Sequence, residues 1–224
     1  MEIDMKLIAA AAADWGLGFR GKLLFSIPED MKFFREKTTD HVVVMGRKTL
    51  ESFPGGRPLK NRVNVVLTTD PEYQAEGAVI VHSIEEARKV LSRYEDASVY
   101  VIGGEKIYRQ MLPYCDEAFI TRIDAVREAD AFLPNLDRDP EWYLAATGET
   151  KEHEGLIFRF CTYKRFVQLP KDPMILYSLI NTKLRDTGKG LRDLCDREGM
   201  NPEDVTSRLA IAGFVYDEET NQFR

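Results

Sequence analysis

One acid in this sequence lies among apolar neighbours at helical spacing. In S-I-P-E-D-M-K-F-F-R, residues 26–35, a stripe of Ile27, Met31, Phe34 and Thr38 forms one helix face, and Asp30 lies on it four residues before Phe34. Ser26 or Ile27 can cap the helix, Pro28 suits its first turn, and Glu29 and Asp30 meet the positive end of the dipole. A first-turn acid can do no more than satisfy that dipole. It can also form the floor of an apolar slot for a cationic or donor-rich ligand, because a carboxylate there is expensive to bury without a partner. Two further stretches could hold anions. Gly46-Arg47-Lys48-Thr49 follows an apolar run and opens a short helix, and Gly103-Gly104-Glu105-Lys106-Ile107-Tyr108 does the same further on. Free N–H groups at a helix start attract phosphate, and glycine lets the backbone come close to it. Arg47 and Lys48 strengthen the first site, although two exposed basic residues on a helix give the same pattern.

The elements that must position these groups alternate. Apolar runs at 6–13, 41–45, 63–69, 79–82, 99–102 and 117–124 read as strands, the third ending on the hydroxyls of Thr68 and Thr69. Residues 84–94 read as an amphipathic helix, and 143–150 and 156–165 as an antiparallel strand pair joined by a polar turn at 151–155. Residues 15–25, with Gly16, Gly18 and Gly21 and the apolar Leu17, Leu23, Leu24 and Phe25, read as a mobile loop able to close over a ligand. Short strands alternating with short helices and ending in a run of strands give an α/β fold: a mixed, mostly parallel central sheet with flanking helices.

A break near 167–170 divides the chain into expected domains 1–166 and 167–224. The second is small and mainly helical. Asp172-Pro173 starts a helix to about 186, a second spans 191–198, Asn201-Pro202 starts a third to about 212, and 214–223 forms a hairpin. Helix, turn, helix and hairpin also outline a winged helix-turn-helix. Its 8 Lys and Arg against 10 Asp and Glu, net −2, argue against nucleic acid, so a packing or self-association module is the expected role. The whole chain has a formal net charge of −6. Cys115, Cys161 and Cys195 are far apart, and His41, His82 and His153 lack ligand spacing, so neither a disulfide framework nor a metal site is expected. No signal peptide or membrane-spanning run is visible, and the expected location is cytoplasmic.

Two strand–glycine–helix junctions suggest a nucleotide with more than one phosphate lying across the strand ends. With one acid in an apolar slot and no metal or nucleophile pair, they point to redox chemistry, for which a nicotinamide or flavin must carry the hydride. Two basic residues at the first junction favour the 2′-phosphate of NADPH over NADH.

These pieces stand in an order that resembles dihydrofolate reductase over residues 5–166: L-I-A-A-A at 7–11, D-W-G-L-G at 14–18, I-P-E-D-M-K-F-F-R at 27–35, V-V-M-G-R-K-T at 43–49, G-R-P-L-K-N-R at 56–62, V-I-G-G-E-K-I-Y at 101–108 and T-R-I-D-A at 121–125. The resemblance implies reduction of 7,8-dihydrofolate to tetrahydrofolate by NADPH, in the service of one-carbon and thymidylate metabolism, with hydride to C6 and a proton to N5. It places the family's acid on Asp30, gripping N3 and the 2-amino group of the pteridine, with Thr121 supporting that edge. Phe34 would pack on the pteridine and aminobenzoyl rings, with Met31, Phe53 and Leu59 lining the pocket, and Arg62 would clamp the α-carboxylate of the glutamate tail. Ile8, Ala10, Ile102 and Tyr108 would line the meeting place of pteridine and nicotinamide. Leu17, Gly18, Gly46, Arg47, Lys48, Thr49, Thr68, Thr69, Gly103, Gly104, Glu105, Lys106 and Ile107 fall on cofactor positions, with a cis peptide expected at Gly103–Gly104. Antifolates such as methotrexate or trimethoprim are implied ligands.

The sequence departs from the family where Leu23-Leu24-Phe25 replaces the usual Leu-Pro-Trp. Phe25 lacks the indole N–H that the family uses to hold a water near the acid, so altered proton delivery or weaker antifolate binding is expected. A reductase of the same fold acting in riboflavin or biopterin synthesis, or a module that binds NADPH without turnover, would share much of this pattern. Arg62 speaks against the first, whose substrates lack a glutamate tail. Residues 170–224 are similar to a small uncharacterised bacterial domain.

Overall fold

The computed structural model describes residues 3–94 and 96–224; residues 1, 2 and 95, which belong to the expected first domain, lie outside the described residues. The chain divides into two compact units, Met1–Lys164 and Arg165–Arg224. In chain order the first contains β1 (Met5–Ala11), β2 (Gly16–Phe19), β3 (Lys22–Leu23), α1 (Pro28–Thr38), β4 (Val42–Gly46), α2 (Arg47–Glu51), β5 (Val63–Leu67), β6 (Ala78–Val81) and α3 (Ile84–Leu91). It continues through β7 (Val99–Gly103), α4 (Glu105–Met111), β8 (Glu117–Ile123), β9 (Ala131–Phe132), β10 (Trp142–Thr147), β11 (Lys151–His153) and β12 (Leu156–Arg165).

One sheet runs β10-β12-β8-β1-β7-β4-β5-β6, with β11 paired to β12. Strands β8, β1, β7, β4, β5 and β6 are mutually parallel, and β12 is antiparallel to β8. This is the mixed, mostly parallel sheet that the alternation of apolar runs and helices predicts. Val42, Val43 and Val44 are all fully buried, because elements cover both faces of the inner strands and no polar alternation is needed.

Two local expectations change. Residues 15–25 do not form an irregular loop: β2 and β3 make a small hairpin, and β9 joins it as a third strand. Leu17, Leu24 and Phe25 are buried, while Leu23 is 69% exposed. A Cβ on Gly18 would lie 2.8 Å from the Lys22 carbonyl, so only glycine lets this hairpin close so tightly. Residues 151–153, expected as part of a turn, extend the sheet as β11, and the reversal is confined to Glu154 and Gly155 at positive φ.

The second unit contains α5 (Pro173–Thr187), α6 (Leu191–Glu198), α7 (Pro202–Ile211) and a ladder of β13 (Tyr216–Asp217) with β14 (Gln222–Phe223). Leu176, Ile180, Leu184, Leu194, Val205, Leu209 and Phe223 form its core. Its punctuation follows the sequence signals: Asp172 and Asn201 cap α5 and α7, and Gly188 and Gly199 close α5 and α6 in the left-handed conformation.

Candidate active site

Asp30 reaches its setting through α1. Pro28 presets the first turn, and the dipole is matched by Glu29 and Asp30 at one end and by Arg35 and Lys37 at the other. Ile27, not Ser26, occupies the cap position; its side chain is buried and offers no hydrogen bond. The Thr121 hydroxyl on β8 donates to Asp30 Oδ1 at 2.6 Å. Thr121 is itself buried and in register with Ala10 on β1 and Phe160 on β12. Burial raises the Asp30 pKa above the ordinary carboxylate value, and the Thr121 hydrogen bond only partly offsets this. Burial therefore disfavours the charged form of this acid.

Beside it, the Tyr108 hydroxyl donates to the Ile8 carbonyl at 2.9 Å, and burial together with the Asp30 charge pushes this phenol far above its ordinary pKa. Tyr108 is thus a fixed neutral group joining α4 to β1. Ile8 and Ile102 are buried in one apolar cluster against which Phe34, Phe53 and Leu59 pack. Met31 stands apart from that cluster and is 44% exposed.

Arg62 points to an anion. Its Nη2 donates to Thr39 Oγ1 at 3.3 Å, its guanidinium carbon lies 6.0 Å from the Phe34 ring, and its Nε is buried without a hydrogen-bond partner. Burial and the nearby Arg35 both lower its pKa. A guanidinium with an unused donor and a second cation close by suits a carboxylate. Sequence reasoning missed the residue that aims it. Buried Asn64 accepts from Leu59 N at 2.9 Å and donates to the carbonyls of Leu59 and Arg62 at 2.9 and 3.1 Å, which closes the 59–62 turn. An amide within an otherwise valine-rich strand was the available signal.

The two glycine junctions lie side by side. β4 pairs with β7, and a register shift sets Met45 opposite Gly103. A Cβ on Gly46 would meet Ile107 Cγ1 at 3.1 Å, and one on Gly103, at φ 139°, would meet Thr49 Oγ1 at 3.2 Å. Thr49 of the first junction therefore covers the second. The Gly103–Gly104 peptide is cis, as expected. Neither α2 nor α4 has a side-chain cap, which leaves their first N–H groups available to an anion. Lys48 and Lys106 are exposed. Arg47 pairs with Asp70 at 3.2 Å and Glu51 at 3.7 Å.

Thr68 Oγ1 accepts from Asp70 N at 3.2 Å, and Thr69 is exposed beside it. The Glu105 carboxylate is taken up within the fold by Arg109 at 3.0 Å and Phe132 N at 3.2 Å, so any part it plays toward a ligand falls to its backbone. Leu17 packs in the core with Trp15, and Phe25 packs with Leu24, Ile27 and Ala10. Among the described residues no cluster of His, Cys, Asp and Glu could hold a metal, and no helix is long and apolar enough to cross a membrane.

Fold and site together define an α/β enzyme frame that can hold a phosphate-bearing nucleotide beside one acid hydrogen-bonded to Thr121. Residues 4–165 match the dihydrofolate reductase family, and residues 170–223 match a domain of unknown function, DUF4250. Dihydrofolate reductase of Bacillus subtilis is 32% identical over 163 residues, 72% of this chain and 94% of that protein. The Mycobacterium tuberculosis enzyme is 39% identical over 164 residues, 71% and 96% of the two chains. A solved dihydrofolate reductase from Enterococcus faecalis, complexed with NADP(H) and RAB-propyl, is 36% identical, with a TM-score of 0.64 over 72% of this chain and 96% of that one. The chain belongs to the dihydrofolate reductase family.

Proposed function

We propose that this protein reduces 7,8-dihydrofolate to 5,6,7,8-tetrahydrofolate with NADPH. Asp30, held by the Thr121 hydroxyl and with its pKa raised by burial, is the observation that carries the reading. The carboxyl grips N3 and the 2-amino group of the pteridine through paired hydrogen bonds and raises the proton affinity of N5. Phe34, Phe53 and Leu59 shield the rings from water, with Met31 at the rim, and Arg62 takes the α-carboxylate of the glutamate tail. Ile8, Ala10, Ile102 and Tyr108 wall the place where the two ligands meet.

The residues at the paired junctions fit NADPH. Backbone close to Gly46, Gly103 and Gly104, with the open starts of α2 and α4, suits its phosphates. Arg47, Lys48 and Thr69 suit the 2′-phosphate. Thr49, Thr68, Lys106 and the backbone of Glu105 and Ile107 suit the rest of the dinucleotide, with Leu17 and Gly18 flanking the nicotinamide. When bound, NADPH supplies the hydride that C6 of the pteridine accepts.

Loss of NADPH absorbance on adding dihydrofolate tests the activity, and no loss at saturating concentrations of both rejects it. Antifolates such as methotrexate or trimethoprim then compete with dihydrofolate; inhibition constants unchanged on restoring Leu24→Pro and Phe25→Trp would reject a role for these two residues in drug affinity. The buried free thiols suit a reducing cytoplasm, where the product serves one-carbon and thymidylate metabolism. Residues 167–224 form a separate domain whose proposed role is self-association; sedimentation as a monomer at every concentration rejects that role.

A further inference from the structure

Beyond the groups already assigned, one cation stands at the entry to the acid helix. Between β8 and β9, Arg127 donates from Nη1 to the Leu24 carbonyl at 2.6 Å, and its guanidinium carbon lies 4.5 Å from the Phe25 ring centroid. These are the two residues at which the chain departs from the Pro-Trp of its family. The other end of the same segment is held alike. Arg122 donates to the carbonyls of Ala12 and Ala13 at 3.0 and 3.1 Å and lies 4.0 Å from the Trp15 ring. Each end thus meets one guanidinium that bonds a backbone carbonyl and covers an aromatic face. Arg122 is tied further into the fold by Asp137 at 3.9 Å. For Arg127, the contacts at Leu24 and Phe25 are the ones that stand out.

We propose that Arg127 is a positioning residue for the reduction: by holding the Leu24 carbonyl and the Phe25 ring, it keeps the entry to α1 closed around Asp30. Phe25 packs with Leu24, Ile27 and Ala10, and Ala10 is in register with Thr121, the hydroxyl partner of Asp30. A proline would stiffen the backbone at position 24, and an indole would add its own hydrogen bond at 25. Lacking both, this chain draws the same restraint from the facing loop. The guanidinium acts through the ring and not through its charge, because burial raises the Asp30 pKa and only the Thr121 hydrogen bond opposes it. Among the described residues, Asp30 is faced by the non-titrating Thr121 hydroxyl from β8 and the titratable Tyr108 phenol from α4, while the neighbouring Glu29 meets His153 of β11 at 4.0 Å.

The proposal rests on Asp30 as the acid of the reaction, so its test reads the carboxyl directly as well as turnover. Carbon-13 NMR titration of Asp30 in the full chain compares the parent with Arg127→Met and Arg127→Lys. Losing the restraint admits water, so Arg127→Met lowers the titration midpoint by about half a unit and slows hydride transfer on the alkaline side about 3-fold, with KM for dihydrofolate little changed. Arg127→Lys keeps a cation and one donor and recovers at least half of the shift. In a Phe25→Leu background, Arg127→Met adds less than it does alone. One midpoint shared by parent and both variants overturns the proposal, as does full additivity with Phe25→Leu. The NMR result stands whether or not the chain turns over dihydrofolate, and an inactive parent would instead reject the activity itself. Thermal melts confirm that each variant is folded, and Arg127→Lys carries the comparison if Arg127→Met is not.

Discussion

Helices in the C-terminal unit are finished by the chain itself, whereas three in the first unit begin without that service. The Asp172 carboxylate accepts from the N–H groups of Met174 and Ile175, and Asn201 does the same for Glu203 and Asp204. Even the glycine start of α6 is met by the Tyr216 hydroxyl, 3.1 Å from Leu191 N. α1, α2 and α4 begin with no side-chain cap, and these are the helices that carry Asp30 and the paired glycine junctions. In the same unit α3, which carries none of the site residues, is capped by Ser83. Polar side chains divide likewise. Asn181 spends donor and acceptor on the backbone of Phe223, while Arg62 keeps a buried donor unused. A region that satisfies its own polar groups needs only to fold. One that leaves donors open beside a half-buried acid is built to receive something.

Breaking the acid tests this contrast most severely. Asp30→Asn keeps shape and hydrogen bonding but cannot supply a proton, and turnover at neutral pH should fall by about 10²–10⁴-fold. Its stability should move the other way. Burial raises the Asp30 pKa in the folded state, so the stability linked to this group is full below the ordinary carboxylate pKa of 3.8 and is lost as pH rises through the raised value. Asp30→Asn removes that loss. The variant should melt above the parent at neutral pH, with the gap closing in acid. A lower melting temperature than the parent at neutral pH would show that the acid is structurally satisfied after all.

The converse break is made in the second unit. Ile180 is fully buried among Leu176, Leu184 and Phe223, and Ile180→Ala should destabilise that unit by about 2–5 kcal/mol through lost burial and the cavity left behind. Chemical denaturation followed by amide NMR would read this, and kcat and KM for dihydrofolate should not change. Arg62→Leu gives a smaller and differently placed effect. Removing one charge-assisted pair worth about 1.5–3 kcal/mol should raise KM for dihydrofolate about 10–100-fold with kcat nearly intact. A dihydropteroate substrate without the glutamate tail should show no such difference. An equal effect on both substrates would mean that Arg62 supports the pocket wall and not the tail.

What the sequence made legible follows from how local each signal is. Apolar runs, Pro at helix starts, Asp172 and Asn201 as caps and glycine at helix ends are set by neighbours within a few residues, and these elements stand close to where the pattern puts them. Between Ser26 and Ile27 as cap the local pattern could not choose, because a hydroxyl one place earlier offers a cap of its own, whereas buried Ile27 occupies the position. The 15–25 hairpin was hidden because β2 finds part of its pairing with β9, more than 100 residues away, and its glycines read as freedom and not as close approach. Asp30, Thr121, Arg62 and the glycine junctions could be named from motifs in order. The residues that aim them could not: Asn64 closes a turn by three hydrogen bonds, and Arg127 acts across about 100 positions of sequence.

The smallest expected effect sharpens the comparison where it began. Asp172 spends its carboxylate on the first N–H groups of α5, and those groups have no second partner to turn to except water. Asp172→Ala should therefore cost about 1 kcal/mol and lower the melting of the C-terminal unit by about 4–8 °C. Dihydrofolate turnover should stay where it was, because the residues proposed for the reaction lie in Met1–Lys164. The starts of α2 and α4 should respond in the opposite sense, their first N–H groups becoming protected from hydrogen exchange only when NADPH is added. If amides 47–49 and 105–106 were equally protected with and without the cofactor, the open starts would be closed by the fold itself, and the difference between the two units would lose its functional meaning.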